Sequence, residues 1–240
     1  MVYMKTIILG LMLLFTTLSA APTRYIRAYY DISYAIFGKI GEVEATLEQH
    51  EKSYSIDIRA EATGIAKLMS NQRIEKYHSE GSVVGGLLRP KRFSVTTLKG
   101  KYYKATHSYL FDHQAKKVLH ETSITQKEGD IQKEEVLEYY AKDDILTLFF
   151  NLGEYLQNVC SSGICSLVAV GANEKDGKVD IRALGGGNFK VILHRRIFAS
   201  KQGEMSVHIN NKGVCDRALL KDVVFFGDVK AKTTKIVYQK

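Results

Sequence analysis

The stretch YYDISYAIFGKIGEVEATLEQ, Tyr29–Gln49, decides the fold. Tyr30, Ile32, Tyr34 and Ile36 fall on one parity, and Asp31 and Ser33 on the other. Past GKIG, Val43, Ala45 and Leu47 alternate with Glu42, Glu44, Thr46 and Glu48. A period of two is the mark of a strand with one face in a core and the other in water. The stretch therefore predicts two antiparallel strands, with Gly38 and Gly41 free to turn or bulge the backbone between them. KSYSIDIRAEAT, from Lys52 to Thr63, repeats the alternation through Tyr54, Ile56, Ile58 and Ala60, which extends the pair into a meander.

The same pattern recurs to the end of the chain. Strand-like runs occupy residues 72–86, 91–111, 117–140, 165–184, 188–198, 204–215 and 218–239. Turn signals such as KEGD, EKDGK, KQGE and NNKG punctuate them. No repeat or linker interrupts the series. One segment departs from it. In DDILTLFFNLGEYLQNV, the residues Ile145, Leu148, Phe149, Leu152, Leu156 and Val159 recur every three or four positions. This predicts an amphipathic helix over 144–159, with Asp143 or Asp144 as its cap. GIAKLMSN, Gly64–Asn71, predicts a short second helix. The fold class is thus all-β dominated: a curved antiparallel sheet or partly closed barrel, packed against one amphipathic helix whose apolar stripe must be covered.

The first twenty residues stand apart. Lys5 precedes an uncharged apolar run, Thr6–Leu18, and then the small residues of SAA. That is the layout of a secretory signal peptide, so residues 21–240 are expected to form a single exported domain. The formal charge is +8, or +7 once Lys5 is removed. For an exported protein this surplus reads first as an ordinary solvated basic surface, and where it marks a partner it favours an anionic envelope component over nucleic acid. Outside the cytoplasm, cysteines as close as Cys160 and Cys165 are expected to form a disulfide, leaving Cys215 buried or free; the alternative pairs Cys215 with either one.

YDISYAIFGKIGEVEATL, YSIDIRAEATGIAKLM, LLRPKRFSV and DDILTLFFNL resemble successive landmarks of an exported bacterial family, the domain-of-unknown-function family 3108. The resemblance implies a periplasmic β-rich domain and carries over no catalytic residue. In layout the chain is also similar to lipoprotein carriers of the LolA/LolB kind, in which a curved sheet closes over helices and holds acyl chains; that likeness concerns architecture alone.

No motif codes for a reaction. Three of the seven histidines, His107, His113 and His120, lie close together in HSYLFDHQAKKVLH; a continuous strand would put His120 on the face opposite His107 and His113, but FDHQAKK reads as a turn, across which that parity need not hold. The remainder, His50, His78, His194 and His208, are scattered. No zinc-helix or serine-elbow pattern occurs, and LGGGNF, Leu184–Phe189, lacks the Lys-Ser/Thr of a phosphate loop and reads as a bend. Glu42, Glu44 and Glu48 read as a solvated strand face rather than a glycosidase pair. No cofactor, metal or catalytic residue is therefore assigned. The leading reading is non-enzymatic binding of a hydrophobic or envelope-derived ligand, with Phe149, Leu152 and Leu156 as its contacts and a lipid or an envelope protein as partner. A scaffolding role and a hydrolase without a recognisable motif are the alternatives. A carrier requires an internal cavity of roughly 300 Å³ or more.

Overall fold

The computed structural model describes residues 23–158, 164–194, 203–221 and 228–239; the expected signal segment lies outside them. From the N-terminus, the first eight strands are β1 (Arg24–Tyr34), β2 (Gly38–Gln49), β3 (Ser53–Ala62), β4 (Ile74–Val84), β5 (Leu87–Lys99), β6 (Tyr103–Asp112), β7 (Lys117–Thr125) and β8 (Ile131–Val136). They form an antiparallel meander. A short helix, α1 (Gly64–Met69), links β3 to β4. After β8 come β9 (Asp143–Asp144) and the longer helix α2 (Ile145–Asn158). The second run is β10 (Ile164–Val170), β11 (Lys178–Gly185), β12 (Asn188–Ile192), β13 (Glu204–Ile209), β14 (Cys215–Leu220) and β15 (Val229–Gln239). Pairing of β15 with β1 fuses both runs into one sheet, ordered β8 to β1 and then β15 down to β9. The end strands β8 and β9 do not pair with each other, so the sheet is curved and open rather than a closed barrel.

Helix α2 lies between the two wings and gives each a separate apolar stripe. Leu148 and Leu152 pack with Cys165, Ala169, Val179, Ile181 and Leu193 of the β10–β12 wing. Leu146 and Phe150 pack with Ile26, Ala28, Leu47, Tyr54 and Ile56 of β1–β3. Ile145 and Leu146 also meet a third cluster, Phe93, Val118, Ala141 and Val170. The periodicity of the sequence located this helix; two coverings, rather than one, account for its apolar residues.

Polar groups fix where the helix sits. Asp144 is fully buried and caps α2, its Oδ1 accepting the amides of Leu146 and Thr147 at 2.8 and 3.0 Å. Thr147 returns the bond: its Oγ1 accepts the Asp144 amide at 3.0 Å, a reciprocal cap. The other carboxylate oxygen of Asp144 accepts from Ser79 Oγ of β4 at 2.6 Å. Since Ser79 has one proton to give, the Tyr54 hydroxyl, 3.0 Å away, donates to Ser79. Asn151 does the same for β5. Its Oδ1 accepts the Leu88 amide at 2.9 Å, and its Nδ2 donates to the Leu88 carbonyl at 2.8 Å and to Asp143 at 2.7 Å. Pairing of β5 with β6 begins only at Arg92, so the Asn151 side chain satisfies a stretch of strand edge that no neighbouring strand covers. Tyr155 completes the cluster by donating to Asp143 at 2.6 Å.

Between β1 and β2 the chain reverses at a 3-10 turn, Ala35–Phe37, closed by Gly38 at φ 66°, and the GKIG segment belongs to β2. Its irregularity is a bulge: Ile32 faces Gly41 but Ser33 faces Lys39, leaving Ile40 unpaired. The glycines of LGGGNF do form a bend, at positive φ between β11 and β12. The Cys160–Cys165 pairing falls partly outside the described residues, since Cys160 lies there; Cys165 is buried in β10. Cys215 carries a free thiol, which overturns the alternative pairings through it.

Two expectations follow. Asn151→Leu leaves the Leu88 amide and carbonyl buried without partners, and should lower unfolding free energy by about 3 kcal/mol or more in urea titration. Burial raises the Asp144 pKa from the ordinary 3.8 to about 6. The folded chain thus holds this proton more tightly than the unfolded chain, and stability should fall as pH rises from about 4 to about 6, by roughly 3 kcal/mol from this group. Comparing Asp144→Asn with wild type across that window should show a shallower slope, the remainder coming from Asp143, whose pKa burial also raises.

Candidate functional site

The inner face of the sheet is filled unevenly. Opposite the β1–β3 strands, α2 leaves an apolar cavity of about 260 Å³. Ile26, Ala28, Tyr30 and Ile32 of β1, Val43 and Ala45 of β2, and Ile56 and Ile58 of β3 form its floor. Leu146, Phe149 and Phe150 form its roof. Small residues at Ala28 and Ala45, directly paired across β1 and β2, are what keep it from filling.

A second, wider cleft of about 730 Å³ adjoins it, and Ile58 and Leu146 line both. This cleft is polar on its β6–β8 side. The rings of Tyr109 and His120 stack with centroids 4.5 Å apart, and His107 stacks on His120 at 5.4 Å. His107 Nδ1 lies 3.1 Å from His120 Nε2, and Thr122 Oγ1 lies 3.2 Å from each of those nitrogens. Glu135 Oε1 stands 3.2 Å from His120 Nδ1, and Lys133 pairs with Glu135. Burial, and then the neighbouring His120, lower the His107 pKa, favouring a neutral ring.

The hairpin explains why His107 and His120 meet. Asp112 pairs with Lys117 across a four-residue turn, so odd positions of β6 face even positions of β7. Counting parity straight through HSYLFDHQAKKVLH puts His120 on the wrong face; counting it through the turn puts both rings inside. His113 sits in that turn, its nitrogens 2.8 Å from the Tyr140 hydroxyl and 2.6 Å from the Pro90 carbonyl oxygen, a structural role. His78, His194 and His208 each lie beside a carboxylate, Asp57, Asp180 and Asp216 respectively. His50 follows the end of β2. Among the described residues, no three His, Cys, Asp or Glu side chains are grouped to hold a metal ion.

Of the three contacts read from the sequence, Phe149 lines the apolar cavity. Leu152 and Leu156 point to the other wing, where Leu152 is buried and Leu156 packs against the β10–β12 cluster. Leu146 and Phe150 take their places in the cavity roof, on the stripe that a single-face reading of the helix does not separate. Cys215 also reaches the cavity, and burial pushes its thiol up to about 11.

The fold and the site together define a class: an open, curved antiparallel sheet wrapped on one helix, with an apolar cavity beside a polar cleft. The family model described as protein of unknown function (DUF3108) matches residues 29–160, and the chain belongs to that family. The match covers the β1–β8 wing from Tyr29 and all of α2, which supply most of the lining of both cavities; Ile26, Ala28, Val214, Cys215 and Ala231 of the apolar cavity and Gly171, Asn173 and Glu174 of the cleft lie outside it. Comparison with curated proteins found no match, and none was found among solved structures.

The two stripes of α2 should respond differently to substitution. Leu152→Glu places a carboxylate in a packed core with no route to water, and should abolish cooperative unfolding in thermal melts. Phe149→Ala enlarges an existing cavity from a half-buried position. It should remain folded, losing about 3 kcal/mol or less.

Proposed function

We propose that the protein binds an amphipathic ligand, with its alkyl part in the cavity beneath α2 and its polar end in the β6–β8 cleft. The observation that carries this reading is the shared wall: Ile58 and Leu146 border both the carbon-lined cavity and the cleft that holds His107, Tyr109, His120, Thr122, Lys133 and Glu135. The smaller space lies just under the roughly 300–1,000 Å³ of ordinary small-molecule sites, which suits one short alkyl segment rather than paired acyl chains. In the cleft, neutral imidazole, hydroxyl and charged groups supply both donors and acceptors for a polar head.

We place this binding in the periplasm. The apolar segment Thr6–Leu18 followed by small residues supports export, and the close cysteines Cys160 and Cys165 suit an oxidising compartment. A lipid or lipid-derived molecule of the envelope is the corresponding ligand class. Binding requires no reaction step.

Ala45→Phe tests the reading by putting a ring into the cavity from the β2 floor. Wild-type protein from its own cells should carry an alkyl-containing ligand in native mass spectrometry, and should take up a fluorescent fatty-acid probe. The variant should keep its thermal midpoint and lose both. Wild-type protein without any bound ligand or probe uptake, or equal uptake by Ala45→Phe, would defeat the proposal.

A further inference from the structure

A second surface lies at the rim where the β3–β4 and β5–β6 connections meet. Helix α1 buries none of its residues. Leu68 is 80% exposed, Met69 83% and Ile65 52%. A six-residue helix has little stability of its own, and packing usually holds such a helix by its apolar side. Here the apolar side chains face water while backbone bonds anchor the ends. The Thr63 amide donates to the Ile40 carbonyl at 2.9 Å, and the Gly100 amide to the Asn71 carbonyl at 2.6 Å. The first bond sets α1 beside β2, near the turn that carries Phe37, itself 47% exposed. The second joins the α1 connection to the turn carrying Lys101 and Tyr102.

That neighbouring turn supplies charge. Tyr102 is 53% exposed, with Lys101 Nζ 5.4 Å and Lys127 Nζ 4.7 Å from its ring centre. Lys99 lies 5.1 Å from the Tyr103 ring. Among the described residues, Lys99, Lys101 and Lys127 form no ion pair with a carboxylate, whereas Lys39 and Lys67 at the same rim do. Protruding Leu and Met beside an aromatic ring and uncompensated lysines match the three layers of a bilayer surface: acyl boundary, headgroup level and anionic phosphate. A protein partner would account for the exposed apolar residues. It would not by itself account for lysines left unpaired beside an interfacial tyrosine.

We propose that this rim, Ile65, Leu68 and Met69 with Tyr102, Lys99, Lys101 and Lys127, docks the protein on an anionic phospholipid bilayer. The test is co-sedimentation of the mature chain with vesicles of phosphatidylethanolamine containing one quarter phosphatidylglycerol, against vesicles of phosphatidylcholine alone. Wild type should sediment with the anionic vesicles and much less with the neutral ones. The triple variant Lys99→Gln, Lys101→Gln, Lys127→Gln should bind about a hundredfold more weakly. The double variant Leu68→Ser, Met69→Ser should lose binding to both vesicle types, with circular dichroism and thermal midpoint unchanged because both residues are exposed. Three outcomes overturn the proposal: wild type remaining in the supernatant, variants that sediment like wild type, or a wild-type dimer abolished by the double variant without vesicle binding, which would make the rim a contact between copies of the chain.

Discussion

The structure depends on the placement of two adjacent carboxylates, Asp143 and Asp144, at the start of α2. Both are almost wholly removed from water, and burial raises the pKa of each. Such groups are tolerated only where donors surround them. Their donors are Ser79 of β4, itself held by the Tyr54 hydroxyl of β3, and Leu146, Thr147, Asn151 and Tyr155 of α2. Asn151 then carries the connection on to the backbone of Leu88 in β5. A sheet fifteen strands wide curls by its own twist, but twist alone does not fix where its last strand lands. This cluster fixes it, because its hydrogen bonds tie β9 and α2 to β4 and β5.

With α2 held there, the rest of the interior follows from side-chain size. On the β10–β12 side, Leu148 and Leu152 join a buried cluster with Cys165, Ala169, Ala172, Val179, Ile181 and Leu193. On the β1–β3 side, the alanines at 28 and 45 are too small to reach Leu146, Phe149 and Phe150, and a cavity remains. One helix therefore closes a solid core with one stripe and roofs a hollow with the other. Further along the same inner face, β6–β8 carry histidine, tyrosine, threonine and charged residues where β1–β3 carry aliphatic ones. The change from apolar to polar along a single concave surface is the basis for assigning an amphipathic rather than a purely hydrocarbon ligand.

Much of this was legible in the sequence because period-two alternation is a local signal. Every run read as strand-like contributes strands to the sheet, and α1 and α2 fall where the apolar spacing changes. The family landmarks were legible too, and the family match runs past the end of α2. What escaped depends on distant contacts. The helix stripe is continuous in sequence, so only the positions of two wings divide Leu152 and Leu156 from Leu146, Phe149 and Phe150. FDHQAKK reads as a turn, but the sequence does not give the register across it, so the meeting of His107 with His120 was not legible. The roles of Asp143 and Asn151 were invisible because their partners are more than sixty residues away or lie on the facing surface of the helix. The glycines of GKIG were read as a turn or a bulge, and both occur: Gly38 closes the reversal at Ala35–Phe37, and Gly41 adjoins the bulged Ile40 in β2.

Native-state hydrogen exchange tests the organising role of the carboxylate cluster most directly. The Leu88 amide has the Asn151 side chain as its acceptor and no strand partner on that edge. If the cluster holds the sheet around α2, the amides of Leu88, Leu146 and Thr147 should exchange only through global unfolding, with the same protection as the paired amides of β4 and β5. Exchange of these three amides at the rate of exposed turns, while β4 and β5 stay protected, would show that helix and sheet are held together by some other contact and would contradict the account.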